Sequence, residues 1–273
     1  MIRFLLILMI LNCLPRGWAD PRTRLFEILY QDLHEGSYEC ITSVDKDSLV
    51  GMELFKKLHQ CTGEGYESHF YNDAKEFLYD VVNHSDGKVH TLYSDQYASS
   101  KGTKYYEDGD SNEDGTYGDF VNCEHLWPQS KFSKLEPMVS DLHHLYPTFS
   151  IPNQIRGSAP FGKVNRPTYR TSAGSQFGAG EFEPHDAIKG NVARGMLYFV
   201  MRYQDQPILR KTDVKRFWNQ RISQFQEWHE LDPPDAEERI RNDRIESFQG
   251  NRNPFIDRPE LVARIGTEPF LLK

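Results

Sequence analysis

The sequence predicts an α+β fold in which short central strands are flanked by helices. Three observations carry this expectation. Apolar residues recur at helical spacing in the first third of the chain and again in the last third. Between them lie short apolar or alternating runs broken by polar, turn-rich segments. The chain has 273 residues, 38% hydrophobic and 13% aromatic, enough for an ordinary core in one large domain or two small ones. No stretch reads as a linker, so a single domain over residues 20–273 is expected.

Residues 1–19 read as a signal peptide. Arg3 precedes the apolar run Phe4 to Leu11, and Gly17-Trp18-Ala19 supplies small residues for cleavage. The run is too short to span a bilayer, and no later stretch is long and apolar enough. The mature chain should begin near Asp20 and reside outside the cytoplasm, secreted or periplasmic, with no membrane partner.

Taken in order, Leu25, Ile28, Leu29 and Leu33 form one helical stripe; Leu54, Phe55 and Leu58 form a second. Phe70, Ala74, Phe77 and Val81 form a third, ending near Asn83, so residues 20–100 are expected to be largely helical. Val89, Thr91 and Tyr93 alternate with polar residues as a strand. Phe120 to Cys123 reads as a short strand running into Glu124 and His125, and Asp141 to Tyr146 as a second, stopped by Pro147. Ser150 or Pro152 can open a helix carrying Asn153 and Arg156. Residues 157–183 are rich in Gly, Pro and Ser and should wrap the surface. Val192 to Tyr203 and Val214 to Trp228 carry helical stripes, the second with Thr212 as N-cap. Ile240, Ile245 and Phe248 suggest a last helix ended by Gly250. Aromatic stripes of this kind are more often core than cofactor contacts.

The formal net charge is −8, and removal of the leader with Arg3 and Arg16 leaves 30 basic against 40 acidic residues. Bulk charge therefore excludes a polycationic surface. From Leu142 to Gly180, however, there is no acid, while Arg156, Lys163, Arg166 and Arg170 fall there. This island is either a local anion site or a sparse, solvated loop. Three cysteines follow the leader: Cys40 and Cys61, expected to pair, and Cys123, expected to be buried and free. A nucleophilic Cys123 served by His125 is disfavoured, because neighbouring side chains on an extended chain diverge.

Glu124, His125 and Asn153 carry the chemistry. A hard cation such as Mg2+ prefers oxygen ligands and keeps several waters, so one carboxylate and one amide could be its protein share. Glu124 and Asn153 could supply them, and His125, whose unperturbed pKa lies near neutrality, could be a general base. Adjacent residues serve one site only where the strand ends, and Pro128 favours an end there.

The order of motifs is more specific than any one of them. Cys123-Glu-His-Leu-Trp-Pro-Gln-Ser130, Ser140-Asp-Leu-His-His-Leu-Tyr-Pro147 and Asn153-Gln-Ile-Arg-Gly157 resemble the bacterial endonuclease I family of His-Me finger nucleases. Arg244 to Ile256 is similar to that family's closing helix, so the likeness runs from about Tyr117 to Ile256. It implies a ββα-metal core among helices, with His125 as base, Glu124 and Asn153 holding Mg2+ (or Mn2+ or Ca2+), and a backbone carbonyl near Val139 orienting the histidine. It also implies a basic residue on the scissile phosphate. The loop after Glu-His offers only Lys131 and Lys134, and Arg156, three residues after Asn153, is the better physical candidate. Lys163 and Arg166 would contact substrate. The implied activity is cleavage of DNA, and also of RNA, with little sequence specificity by a monomer. An extracellular ribonuclease is the rival within the class, and a catalytically silent nucleic-acid or cation binder is the rival outside it.

On a strand, His143 and His144 would face opposite ways, so a two-histidine Zn site is not expected; one should support the site by hydrogen bonding and the other be structural. Asp108, Asp110, Asn112, Asp114 and Asp119 fall at positions 1, 3, 5, 7 and 12 of an EF-hand-like loop, which would make a structural Ca2+ site. Glu113 at the position that wants Gly favours the other reading, a solvated loop.

Overall fold

The computed structural model describes residues 35–45 and 48–273. The expected leader and the stripe Leu25 to Leu33 lie outside these. Helices α1 (Glu35–Ser43) and α2 (Gly51–Gly63) are bridged by the Cys40–Cys61 disulfide, and Cys123 is free and buried, as expected. Helix α2 buries Leu54, Phe55, Leu58 and Cys61, the face its spacing predicts.

Helix α3 (Tyr71–Phe77) continues as a π-helical turn over Leu78–Val82. That turn shifts the expected stripe. Ala74, Leu78 and Val82 are buried, whereas Val81 is partly exposed and Phe70, the residue preceding the helix, is 81% exposed. The wider turn inserts an extra residue, which moves position 82 rather than 81 to the inner face.

A four-stranded antiparallel sheet follows, β1 (His84–Ser85), β2 (Lys88–His90), β3 (Tyr97–Lys101) and β4 (Lys104–Tyr106), paired in chain order. Strand β2 ends before Thr91 and Tyr93, so the strand expected through Tyr93 is shorter than its alternation suggested.

Strands β5 (Val121–His125) and β6 (Leu145–Phe149) form a separate antiparallel pair, with Glu124 opposite Tyr146 and His125 opposite Leu145. Helix α4 (Gln129–Phe132) follows β5, and helix α5 (Ser150–Arg156) follows β6 with no intervening loop. The Asp119 carboxylate caps α5 by accepting the Ile151 N–H at 2.8 Å. The second strand was expected over Asp141–Tyr146. Instead Leu142–His144 form a 3-10 turn, because the Asp141 side chain accepts the His143 N–H, and the strand starts at Leu145 and runs through Pro147. The Pro147 carbonyl still accepts a hydrogen bond, from the Leu92 N–H.

Residues 157–183 are not simply a surface wrap. They form a three-stranded sheet, β7 (Tyr169–Arg170), β8 (Gln176–Gly178) and β9 (Glu181–Glu183), with Phe161 and Phe182 buried. Helix α6 (Lys189–Tyr203) is buried along nearly its whole length. At Gly195 an added Cβ would come within 2.5 Å of Leu126 Cδ1 and 3.2 Å of the His143 carbonyl oxygen. Glycine thus lets α6 lie directly against the end of β5 and the His143 turn.

The expected stripe from Val214 to Trp228 is broken into α7 (Thr212–Asn219) and α8 (Ile222–Leu231), and Thr212 opens α7 without a side-chain cap. Helix α9 (Ala236–Gln249) ends at Gly250 in the left-handed region, as expected. Its inner face is largely polar: Arg241, Asn242, Glu246 and Gln249 are buried with Ile245, while Ile240 is 49% exposed.

Candidate active site

Strand β5 delivers Glu124 and His125 at its carboxyl end, and Pro128, three residues on, carries the chain into α4. The His125 ring packs among Tyr71, Phe132 and His144, with centroids 5.5, 6.1 and 5.5 Å away. Its Nε2 lies 3.0 Å from the Val139 carbonyl oxygen. A carbonyl only accepts, so Nε2 carries the proton and Nδ1 presents the lone pair. The Gln129 amide nitrogen donates to that lone pair across 3.1 Å. Burial, seconded by the neighbouring His144, pushes the His125 pKa down to about 3, which keeps the ring neutral.

Glu124 is buried beside it. Its Oε1 accepts from the Tyr93 hydroxyl at 2.8 Å and from Arg156 Nη1 at 2.7 Å. Burial raises the Glu124 pKa, and the Arg156 charge and the Tyr93 hydrogen bond oppose that rise. The Arg156 guanidinium also donates to the His125 carbonyl at 2.9 Å and the Leu126 carbonyl at 2.6 Å, and it lies 4.5 Å from the centre of the Phe161 ring. Arg156 is 1% exposed. It was expected on the scissile phosphate; it is instead enclosed and committed to Glu124 and the end of β5. Only from the protein side does it touch the site.

Asn153 is half-buried on α5, and its Nδ2 donates to the Cys123 carbonyl at 3.5 Å. No described residue donates to its Oδ1. Among the described residues no three His, Cys, Asp or Glu side chains group to hold a metal ion. The donor set that is present, one carboxylate and one amide oxygen, has the chemistry of a hard divalent cation that keeps most of its water.

His143 and His144 sit on the 3-10 turn, both buried. His143 Nε2 faces the Asn251 carbonyl at 3.0 Å and His144 Nε2 the Met138 carbonyl at 2.6 Å. Burial pushes each pKa down to about 4. His144 thereby anchors the carbonyl just before the one that orients His125, whereas His143 ties the turn to the segment after α9. Asp141 anchors the turn itself, accepting from the Tyr198 and Tyr203 hydroxyls at 2.9 and 2.7 Å and from Gln249 Nε2 at 2.9 Å.

The basic residues of the expected substrate surface divide into two groups. Lys131 pairs with Asp213 and Lys163 with Glu227, while Lys134 and Arg166 are exposed and make no ion pair among the described residues. The acidic loop does not converge as an EF hand would. Asp108 turns to Lys88 and Ser99, and Asp119 caps α5. Asp110, Asn112 and Asp114 accept backbone N–H groups within the loop. Asp110, Asn112 and Asp114 thereby brace the acidic loop as a self-bonded turn.

Sequence reasoning missed Tyr93 and Gln129. Tyr93 looked like one more residue of an alternating strand, with no sign of its long-range partner. Gln129 lay inside the Glu-His-Leu-Trp-Pro-Gln run, four residues after His125, and that spacing beyond a proline was its only signal.

The family model described as Endonuclease I matches residues 48–260. The extracellular ribonuclease of Bacillus subtilis (strain 168) is 36% identical over 161 residues, 55% of this chain and 55% of that protein. The extracellular ribonuclease of Bacillus amyloliquefaciens is 34% identical over 165 residues, 57% of this chain and 56% of its own. The chain thus spans about half the length of the curated relatives it matches.

Proposed function

This chain belongs to the Endonuclease I family, and from that premise we propose that it is a secreted, divalent-metal-dependent endonuclease folded as a single nuclease domain. It hydrolyses phosphodiester bonds of nucleic acid with little sequence specificity. The observation that carries this reading is the orientation of His125: Nε2 is held by the Val139 carbonyl, and Nδ1 is left to take a proton. His125 Nδ1 removes a proton from water as the water oxygen attacks phosphorus, and the bond to the leaving oxygen breaks. Glu124 and Asn153 would hold Mg2+, with Mn2+ or Ca2+ as alternatives, and the cation when bound supplies charge stabilisation at the phosphate. Arg156 and Tyr93 oppose the rise that burial imposes on the Glu124 pKa and aim its carboxylate.

An external water nucleophile needs no 2′-hydroxyl, so DNA and RNA are both substrates on this reading. The names of the two relatives favour a ribonuclease as the second reading. A silent binder would have no use for Glu124, His125 and Asn153 together. Secretion is supported by the extracellular relatives, and no described helix is long and apolar enough to cross a membrane. Lys134 and Arg166 remain the exposed cations for substrate contact.

The deciding experiment is paired digestion of plasmid DNA and of RNA by the mature protein, with Mg2+ and with EDTA, alongside His125→Ala. Cleavage that EDTA abolishes, and that the variant loses by roughly 10²–10⁴-fold, is the expected result. Full activity in EDTA, or in His125→Ala, would overturn the mechanism.

A further inference from the structure

Because Nε2 of His125 is committed to the Val139 carbonyl, Nδ1 is the ring's sole proton acceptor. Aromatic rings of Tyr71, Phe132 and His144 surround the imidazole. The side chain that meets Nδ1 is the Gln129 amide, 3.1 Å away, and the Cys123 backbone also faces the ring. His125 is buried, Gln129 is half-buried and Ser130 is exposed, so Gln129 stands between the base and solvent.

We propose that Gln129 is a positioning residue that orients the attacking water at His125 Nδ1. The proposal rests on the reading of His125 as general base.

Gln129 opens helix α4, behind Pro128. The turn is braced by the Lys131 N–H on the Pro128 carbonyl at 2.8 Å and the Lys134 N–H on the Gln129 carbonyl at 3.3 Å. The backbone is therefore held, and the three side-chain torsions of glutamine are the mobile part. A swing of the amide by the width of one water, with a half-turn about its last torsion that puts Oε1 in the place of Nε2, admits that water between Nδ1 and the amide. A single acceptor fixes one proton of a water and leaves the molecule free to turn about that hydrogen bond. The Gln129 Oε1 accepts the second proton and removes this freedom, so the oxygen lone pair points at phosphorus. One proton then passes to Nδ1, the oxygen–phosphorus bond forms, and the leaving oxygen departs and is protonated from solvent. Entry of the water breaks one hydrogen bond and makes two. A glutamine amide orients the attacking water in the same way in GTPases.

The test uses the mature protein with Mg2+ and three variants: Gln129→Met, which keeps length and loses polarity; Gln129→Ala, which cannot clash; and Gln129→Glu, which keeps an oxygen acceptor at the same reach. In Gln129→Met and Gln129→Ala, kcat should fall by about 10- to 100-fold, with KM unchanged within about twofold and the melting temperature unmoved. Gln129→Glu should recover most of the loss. Wild-type kcat in Gln129→Met and Gln129→Ala would overturn the proposal. A raised KM at unchanged kcat, or Gln129→Glu no better than Gln129→Met, would do the same. His125→Ala run alongside separates the two readings: if it remains active, the base is wrongly assigned, whereas an inactive His125→Ala with an unaffected Gln129→Met refutes only the role of Gln129.

Discussion

Arg156 Nη1 lies 2.7 Å from Glu124 Oε1, and the two side chains are 1% and 3% exposed. Burial raises the Glu124 pKa; the guanidinium, also bonded to the His125 and Leu126 carbonyls, opposes that rise and fixes the direction of the carboxylate. The helix that carries Asn153 thus also carries the counter-ion of the other proposed metal ligand.

Removing one partner of such a pair leaves a buried charge alone. Arg156→Ala should lower unfolding free energy by about 3–5 kcal/mol and abolish cleavage, as read by denaturant melts and a nicking assay. Lys at this position cannot replace the fork of bonds to Glu124 and two carbonyls, so Arg156→Lys should lose activity through kcat. A pure rise in KM would instead restore Arg156 to the substrate phosphate.

The two proposed metal ligands should fail differently. Asn153→Ala removes a neutral oxygen and Glu124→Ala a charged one, so raised Mg2+ should rescue the first better than the second. Glu124→Ala should also lose stability, because Arg156 is then buried without its carboxylate. Mg2+ titrations of cleavage, with melting curves alongside, check both statements; equal Mg2+ dependence in the two variants would misplace the metal.

His229 is buried with its Nε2 2.9 Å from the Pro259 carbonyl, and burial lowers its pKa from 6.5 to about 4. A lowered folded-state value means that the unfolded chain binds the proton first. The contribution of His229 to stability is therefore complete above pH 6.5 and is lost as pH falls toward 4, with a slope of up to about 1.4 kcal/mol per pH unit. Between pH 7 and 4.5 the wild type should lose more unfolding free energy than His229→Gln by that slope. Parallel curves for the two proteins would contradict the assignment.

Gly195 has no room for a methyl group, since Leu126 Cδ1 and the His143 carbonyl lie 2.5 and 3.2 Å from where its Cβ would stand. Gly195→Ala should cost about 1–3 kcal/mol by overpacking, despite the better helix propensity of alanine. It should also reduce kcat, because the displaced atoms flank β5 and the turn behind His125. An unchanged melting temperature would show that α6 can shift freely.

The sequence by itself determined the buried face of α2, the Cys40–Cys61 bridge, the strand that ends on Glu124 and His125, and the helix that carries Asn153. Those features follow from local periodicity, capping and spacing, which are written within a few residues of each other. It also placed the orienting carbonyl at Val139, through family likeness. Tertiary structure alone decided the rest. The stripe of α3 slipped because a π-turn was accommodated by packing, and Asp141 became a turn anchor because Tyr198, Tyr203 and Gln249, all more than 50 residues away in the chain, donate to it. Arg156 looked like a phosphate ligand because its charge and spacing suited one. Whether a cation faces solvent or a buried carboxylate depends on which elements close over it, and no local pattern records that.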